Sequence, residues 1–363
     1  MSHHHQHHFP RAVPIREAVT FAGFAIALIG GAAAVLGDYA LLGIGAAQAA
    51  KSGSVFNRAT YSSPIAMSAD NTLVWSVNPG DDSVSVIRTS DNTKITNIKV
   101  GDEPQSVTLD PNNEYAYVAN AAGSSVSVIK VKNANPNAFD AEVDRKSGKR
   151  GQLTTGAEPW DIVTSPDGKR VFVANSGQDT ITVIDATKQT IIGHVDIRNS
   201  LCNDPDRNRR FQPRALAITQ DNTKLYVTRF FSFVKAGGKQ GLDDGREGLV
   251  CRLDINTSAE NISGYQVAAA ITLAPRLTGF SPAGLAEPST AFANQLQSIV
   301  IRGNQAYLPN IAASPTDPLV FNNETMAFVN IIDNVNGGSQ SDASLAKFFQ
   351  GGNNIGPNLH LGA

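Results

Sequence analysis

Four segments of this 363-residue chain follow one plan, beginning at Pro64, Pro104, Pro159 and Pro213. Each continues as a short apolar run, a polar turn and a second apolar run with period-two alternation. Alternation and β-branched residues predict strands. The Asp, Asn, Pro and Gly residues between the runs supply the backbone angles of tight hairpins. The repetition predicts a chain built from one stacked structural unit.

The unit extends beyond these two strands. A third strand is predicted at residues 83–87, 125–129 and 180–184, and a fourth at residues 95–100 and 191–197. Four antiparallel strands per unit make a propeller blade. A fifth, weaker unit covers residues 297–301, 305–308 and 326–332. The predicted fold is therefore an all-β β-propeller of four-stranded antiparallel blades, with about five blades visible.

Insertions separate the repeats, whose starts lie 40, 55 and 54 residues apart, against about 40 to 45 for a minimal blade. Residues 199–212 and 274–296 lie between blades, and residues 229–248 and 311–323 join second to third strands. Connections of these two kinds leave a propeller on the same face, so four insertions should converge on one rim. Residues 132–152 should point the other way. Long loops on a rigid scaffold commonly carry recognition, although they could instead fill gaps or pack on a neighbouring domain.

The rim loops and their borders supply the candidate binding residues, which combine charge with aromatic rings. They are Arg207, Arg209, Arg210, Arg214, Arg229, Phe230, Phe231, Asp243 and Asp244. Such a rim could hold a peptide, a glycan or a nucleic-acid strand, and the alternative is a solvated, internally paired face. The net charge of −2 provides no general attraction for nucleic acid. We therefore expect a protein or cell-envelope ligand.

Residues 1–50 have the composition of an export segment. Arg11 and Arg16 precede a long apolar stretch, and Ala47 and Ala49 suit cleavage near residue 51. An uncleaved membrane anchor is the alternative, and it would be the only contact with a membrane. Export predicts a periplasmic or extracellular protein. The propeller is expected over residues 51–335, and an irregular tail, the start of a further blade or a linker, over residues 336–363.

The two cysteines, Cys202 and Cys251, would then meet an oxidising compartment. A disulfide that staples the rim is predicted, with two buried free thiols as the alternative.

Residues suited to catalysis are scarce. Five of the seven histidines lie at positions 3 to 8, which leaves His194, expected at an exposed strand edge, and His360. No Cys-x-x-Cys-His haem attachment motif occurs, and no nucleotide-binding glycine motif stands between a strand and a helix. Asp243, Asp244 and Glu247 lack the spacing of a calcium loop. We therefore predict no metal site and no cofactor, and the sequence favours a binding protein over an enzyme.

The strand at residues 117–120, Tyr-Val-Ala-Asn, followed by Ser-Val-Ser-Val-Ile at residues 125–129, resembles the YVTN-type β-propeller repeat family. The resemblance covers about residues 55–335 and extends to WD40/YVTN-like and quinoprotein-dehydrogenase-like propellers. It implies an exported protein of six or seven blades that serves as a surface, periplasmic or binding domain. With five visible blades, either a C-terminal part is missing or the ring closes in an unusual way.

Three hypotheses follow. The first is an extracytoplasmic binding or interaction scaffold that presents long loops on one face. The second, implied by similar propellers that adjoin c-type haem peroxidase-like domains, is the N-terminal propeller portion of a periplasmic redox protein. The third is a hydrolase or lactonase that uses carboxylates and a metal at the central channel.

Overall fold

The structure, a computed structural model, describes residues 60–62, 64–198, 201–202, 210–278, 289–316 and 325–342. All the described residues lie in one compact unit. Within these ranges the protein consists of β-strands, turns and two short 3-10 helices, Pro79–Asp81 and Ile262–Gly264. No helix in the described residues is long and apolar enough to cross a membrane.

The described strands form five sheets. Sheet one contains β1 Thr60–Ser62, β2 Ile65–Met67, β3 Leu73–Asn78, β4 Ser83–Arg88 and β5 Thr93–Lys99. Sheet two contains β6 Pro104–Leu109, β7 Tyr115–Asn120, β8 Ser125–Asn133, β9 Asp140–Val143 and β10 Gln152–Thr154. Sheet three contains β11 Pro159–Thr164, β12 Arg170–Asn175, β13 Thr180–Asp185 and β14 Thr190–Asp196.

Sheet four contains β15 Pro213–Ile218, β16 Lys224–Arg229, β17 Phe233–Val234, β18 Arg246–Ile255 and β19 Tyr265–Leu273. Sheet five contains β20 Arg276–Leu277, β21 Thr290–Asn294, β22 Val300–Arg302, β23 Gln305–Ala313, β24 Thr325–Asp333 and β25 Ser341–Asp342. Sequential strands pair antiparallel within the repeated unit, as β11, β12, β13 and β14 do. The predicted all-β architecture of four-stranded antiparallel blades is confirmed.

The segments predicted as loops contain additional strands. In residues 132–152, β9 pairs with β8, and β10 begins at the end of the same segment. In residues 274–296, β21 pairs with β23. In the predicted irregular tail, β25 pairs with β24. These strands are short and depend on a partner strand that a local sequence pattern does not reveal. Residues 1–50 and 343–363 lie outside the described residues.

The predicted turns between first and second strands have the expected chemistry. Their last residues, Asn71, Asn113, Gly168 and Asn222, all have positive φ, between 57° and 70°. Asn and Gly tolerate this left-handed conformation better than other residues. The turn from residue 165 is further closed by Ser165 Oγ, which donates to Asp167 Oδ1 at 2.6 Å.

The asparagine that ends the second strand has a structural role. Asn120 Nδ2 donates to Ser125 Oγ at 3.1 Å and to Ser127 Oγ at 3.0 Å. Asn175 Nδ2 makes the corresponding bonds in sheet three, to Thr180 Oγ1 and Thr182 Oγ1. Both asparagines are fully buried. The Asn of one strand and the alternating hydroxyl residues of the next therefore form one hydrogen-bonded set, which explains why they recur together.

Apolar side chains pack between neighbouring sheets, so sheets one to five follow one another in a row. Nearly every residue of β7, β12 and β16 is buried, because a sheet lies on each side of these strands. β3 and β23 instead alternate between buried and more exposed residues. Sheets two to four are thus covered on both faces, whereas sheets one and five are covered mainly on one.

A buried carboxylate joins three sheets through their first strands. β11 contacts both β6 and β15. Asp161 on β11 is 1% exposed. Its Oδ1 accepts from Ser106 Oγ on β6, and its Oδ2 accepts from the backbone N of Leu216 on β15, each at 2.8 Å. The side chain holds these three strands in register with one another.

Replacing Asp161 tests this link. In Asp161→Ala the buried Ser106 hydroxyl and Leu216 N–H lose their acceptor, and each buried unsatisfied group costs about 1–3 kcal/mol. We expect the free energy of unfolding, measured by urea denaturation, to fall by about 3 kcal/mol. Asp102→Ala, which truncates an exposed aspartate, is the control and should change little. Equal unfolding midpoints for the two variants would show that the Asp161 hydrogen bonds contribute nothing.

The predicted disulfide between Cys202 and Cys251 is confirmed, with Cα atoms 5.9 Å apart. Both cysteines are buried. The bond ties the segment that follows β14 to the middle of β18, so it connects sheets three and four at the base of the rim loops.

Candidate functional site

In each repeat, the start of the first strand lies beside the end of the second strand, because the two strands are antiparallel neighbours. The backbone N of Ser176, just after β12, donates to the carbonyl of Glu158, just before β11, at 2.9 Å. The backbone N of Phe230 donates in the same way to the carbonyl of Gln212 at 3.1 Å. Connections between blades and connections from second to third strands therefore leave from one side. We call this side the loop-bearing face.

Hydrogen bonds join the insertions on this face. The backbone N of Ser232 donates to Asn294 Oδ1 at 3.0 Å, and the backbone N of Leu296 donates to the carbonyl of Phe230 at 3.0 Å. Asp243 and Thr316 bond reciprocally: Asp243 N donates to Thr316 Oγ1 at 2.8 Å and Thr316 N donates to Asp243 Oδ1 at 2.6 Å. The described parts of residues 229–248, 274–296 and 311–323 thus meet one another.

An arginine packed against aromatic rings lies on this face. The Cζ of Arg214 is 3.2 Å from the ring centroid of Trp160 and 4.1 Å from that of Phe230. The Phe230 ring lies 4.2 Å, centroid to centroid, from the ring of Phe231. We call these four residues the aromatic–arginine stack. Each close cation–ring contact is worth roughly 0.5–2 kcal/mol, so the stack is an ordered feature of the face.

Different elements position the members of the stack. Trp160 and Arg214 are the second residues of β11 and β15, and Phe230 and Phe231 follow the end of β16. Phe231 is 43% exposed, whereas the other three side chains are half-buried. The first strands of two neighbouring sheets and the start of one rim loop therefore form a single surface.

Burial changes the electrostatics of the arginine. It lowers the pKa of Arg214 to about 10, and the nearby Glu158 carboxylate opposes this shift. The guanidinium is still protonated at neutral pH. Its Nε atom is buried and has no hydrogen-bond partner among the described residues.

The repeat itself contained a signal for Trp160, which the sequence analysis missed. In every repeat one residue follows the starting proline, and these residues are Ile65, Gln105, Trp160 and Arg214. All four retain exposed surface, although the other residues of β6, β11 and β15 are largely buried. The position after the proline thus contributes to the loop-bearing face, and Trp160 occupies it one blade before Arg214.

The other candidate residues are placed differently. Arg210 forms an ion pair with Asp179, Nε to Oδ2 at 3.4 Å, and donates to the Ser176 carbonyl. Arg229 is only 3% exposed, with its Cζ 5.3 Å from the Phe233 ring centroid. Asp244 is exposed, and Asp243 joins two loops as described above. Arg207 and Arg209 lie outside the described residues.

The acidic residues of the rim do not form a metal site in the described part of the chain. No group of three or more His, Cys, Asp or Glu side chains there could hold a metal ion. Glu247 is part of β18, and burial raises its pKa. His194 is exposed on the edge strand β14, as predicted, and its Nδ1 lies 3.0 Å from Thr182 Oγ1. His360 lies outside the described residues.

Comparison with solved structures shows similarity of fold only. A chain from the hydrazine synthase of Kuenenia stuttgartiensis superimposes with a TM-score of 0.54 at 19% identity, over 81% of this chain and 69% of that chain. A candidate 6-phosphogluconolactonase from Bacteroides uniformis gives a TM-score of 0.46 at 12% identity, over 75% of this chain and 67% of that chain. No protein of curated function matches the sequence.

The sequence profile of one family matches residues 45–275, which is more than half of the chain. The family is described as lactonase, 7-bladed beta-propeller. This match supports the propeller fold expected from the repeats, while the finer assignment to YVTN-type repeats stays a prediction. The chain belongs to the lactonase, seven-bladed β-propeller family.

Proposed function

We propose that this protein is an extracytoplasmic binding module that holds its ligand on the loop-bearing face. The observation that carries the proposal is the aromatic–arginine stack, which lies where the insertions meet. Aromatic residues and arginine dominate the energetics of binding surfaces because they combine a large contact area with directed hydrogen bonds. The ligand that we propose is a protein or another component of the cell envelope.

The arrangement of the stack suits binding because little of it has to be ordered by the ligand. Trp160 and Arg214 are held by strands of the blades, and Phe231 offers exposed ring surface beside them. A preorganised surface loses less conformational entropy when a ligand binds. The exposed aromatic ring would supply apolar contact, and the arginine would supply charge.

The proposed location outside the cytoplasm is supported by two features. The sequence of residues 1–50 has the composition of an export segment. The disulfide between Cys202 and Cys251 is of a kind that persists in oxidising compartments.

Binding to separated envelope fractions tests the proposal. The purified protein is immobilised and exposed in turn to envelope proteins, peptidoglycan and polysaccharide, and binding is followed by biolayer interferometry. We expect saturable binding of one fraction and a loss of about tenfold or more in affinity in Phe231→Ala, which removes an exposed anchor. Lys94→Ala, on the outer strand β5, is the control and should bind like the wild type. If no fraction binds saturably, or if Phe231→Ala binds as well as the wild type, the proposal is wrong.

The family match favours one second candidate, a lactone hydrolase. A pH-stat assay with sugar lactones, 6-phosphogluconolactone included, measures the acid released on ring opening. If the protein opens a lactone faster than the spontaneous rate, and Arg214→Gln abolishes this turnover, the result would favour a lactone hydrolase over a binding module. The second hypothesis of the sequence analysis, a propeller that precedes a c-type haem domain, stays a prediction that the reading frame after residue 363 would test.

A further inference from the structure

We infer that Arg214 binds an oxyanion group of the ligand, a carboxylate or a phosphate, along the edge of its guanidinium. This inference rests on the proposed function, because it assigns a ligand chemistry to the same face. Two observations carry it: the packing of the Arg214 guanidinium against two aromatic rings, and the buried Nε atom of Arg214, which has no hydrogen-bond partner among the described residues.

The two rings limit how a ligand can approach Arg214. The ring centroids of Trp160 and Phe230 lie 3.2 and 4.1 Å from Cζ, so the two rings cover part of the guanidinium surface. An arginine carries five N–H donors, all in the plane of the group. Because all the donors lie in this plane, an acceptor group of the ligand must approach the in-plane edge. An oxyanion whose two oxygens accept two parallel hydrogen bonds, as a carboxylate or a phosphate can, is the partner that matches this edge.

The guanidinium also needs a partner on energetic grounds. Removing a charge from water is costly unless the charge is paired and hydrogen-bonded. Arg214 is half-buried, and its buried Nε has no hydrogen-bond partner among the described residues. Burial accordingly lowers its pKa, and the opposing influence of Glu158 is the smaller one. A bound oxyanion would pair with the guanidinium charge and so offset the cost of its burial.

The neighbouring ring indicates what else the ligand contains. Phe231 lies against Phe230 and is 43% exposed. An oxyanion attached to an apolar or aromatic group could contact this ring while it is bound by Arg214. We therefore expect benzoate to bind more tightly than acetate, and phenyl phosphate more tightly than inorganic phosphate.

Titration of the wild-type protein with these four anions tests the inference directly. In protein labelled with ¹⁵N-arginine, the Nε–H resonance of Arg214 should shift saturably with at least one anion. Arg214→Gln assigns the resonance by its disappearance. A shift with the carboxylates alone identifies a carboxylate ligand, and a shift with the phosphates alone identifies a phosphate ligand. If none of the four anions shifts this resonance, the inference is wrong, whatever the variants do.

Calorimetry provides the second readout. We expect Arg214→Gln to weaken binding of the favoured anion at least tenfold, and Arg214→Lys to weaken it nearly as much because lysine lacks the planar pair of donors. The control is Arg88→Gln. It removes the last arginine of β4, which is paired with Asp91, and it should not alter anion binding. Circular dichroism and thermal melting establish that each variant is folded.

The two proposals fail in different ways. Suppose that an envelope fraction binds the wild type saturably, binds Phe231→Ala more weakly and binds Arg214→Gln as tightly as the wild type. The face then binds a ligand, but Arg214 does not bind an oxyanion. If no envelope fraction binds while benzoate shifts the Arg214 resonance, the anion site exists and the proposed envelope ligand is wrong.

Discussion

Phe172→Ala should lower the free energy of unfolding by about 4 kcal/mol, because truncating a fully buried phenylalanine to alanine typically costs 3–5 kcal/mol. Phe172 on β12 is 0% exposed. Its ring contacts Tyr265 of sheet four edge to face, with centroids 5.8 Å apart. The variant therefore loses contacts within sheet three and across to the next sheet. Urea denaturation followed by circular dichroism measures the change.

Phe231→Ala is the matched control, because it deletes the same atoms from a ring that is 43% exposed. We expect it to cost less than about 1 kcal/mol, since the lost transfer free energy scales with buried area. If Phe172→Ala also costs less than about 1 kcal/mol, the packing between sheets three and four described here is wrong.

The double variant Cys202→Ala, Cys251→Ala should also lose about 4 kcal/mol of unfolding free energy in the chain-entropy account of disulfide stabilisation. The bond joins residues 49 positions apart, and removing it lets the unfolded chain explore more conformations. Denaturant unfolding under non-reducing conditions compares the double variant with the wild type.

The reduced wild-type protein provides an independent check. A reducing agent should move the wild-type unfolding midpoint toward that of the double variant and leave the double variant unchanged. Identical midpoints for wild type and double variant without reductant would mean that the bond does not stabilise the fold.

The repeated strands could be predicted from the sequence because each has a strong local pattern. β7 and β12 are rich in β-branched and aromatic residues and follow turns that end in Asn113 and Gly168, whose positive φ is set by residue type. β9, β10 and β21 could not be predicted, because they are short and form against partners elsewhere in the chain.

The candidate site was predicted in part. Loop position and residue type were enough to single out Arg214, Phe230 and Phe231, which lie together. Trp160 was missed because it lies in a predicted strand and not in a rim loop. Arg229 was expected on the rim but is 3% exposed. Sheets lie on both sides of β16, so alternation along that strand cannot show which side chains reach the solvent.

Sheet three is buried on both faces, whereas sheets one and five are buried mainly on one, and this difference predicts the order in which the sheets unfold. Sheets one and five are each supported from one side, and sheet three is supported from both. In proteins whose repeats contact only their neighbours, stability is a sum over repeats and the interfaces between them. Among the five described sheets, partial opening should therefore begin with sheets one and five and reach sheet three last. Under mild destabilisation, sheet three should keep its native structure after sheets one and five have opened.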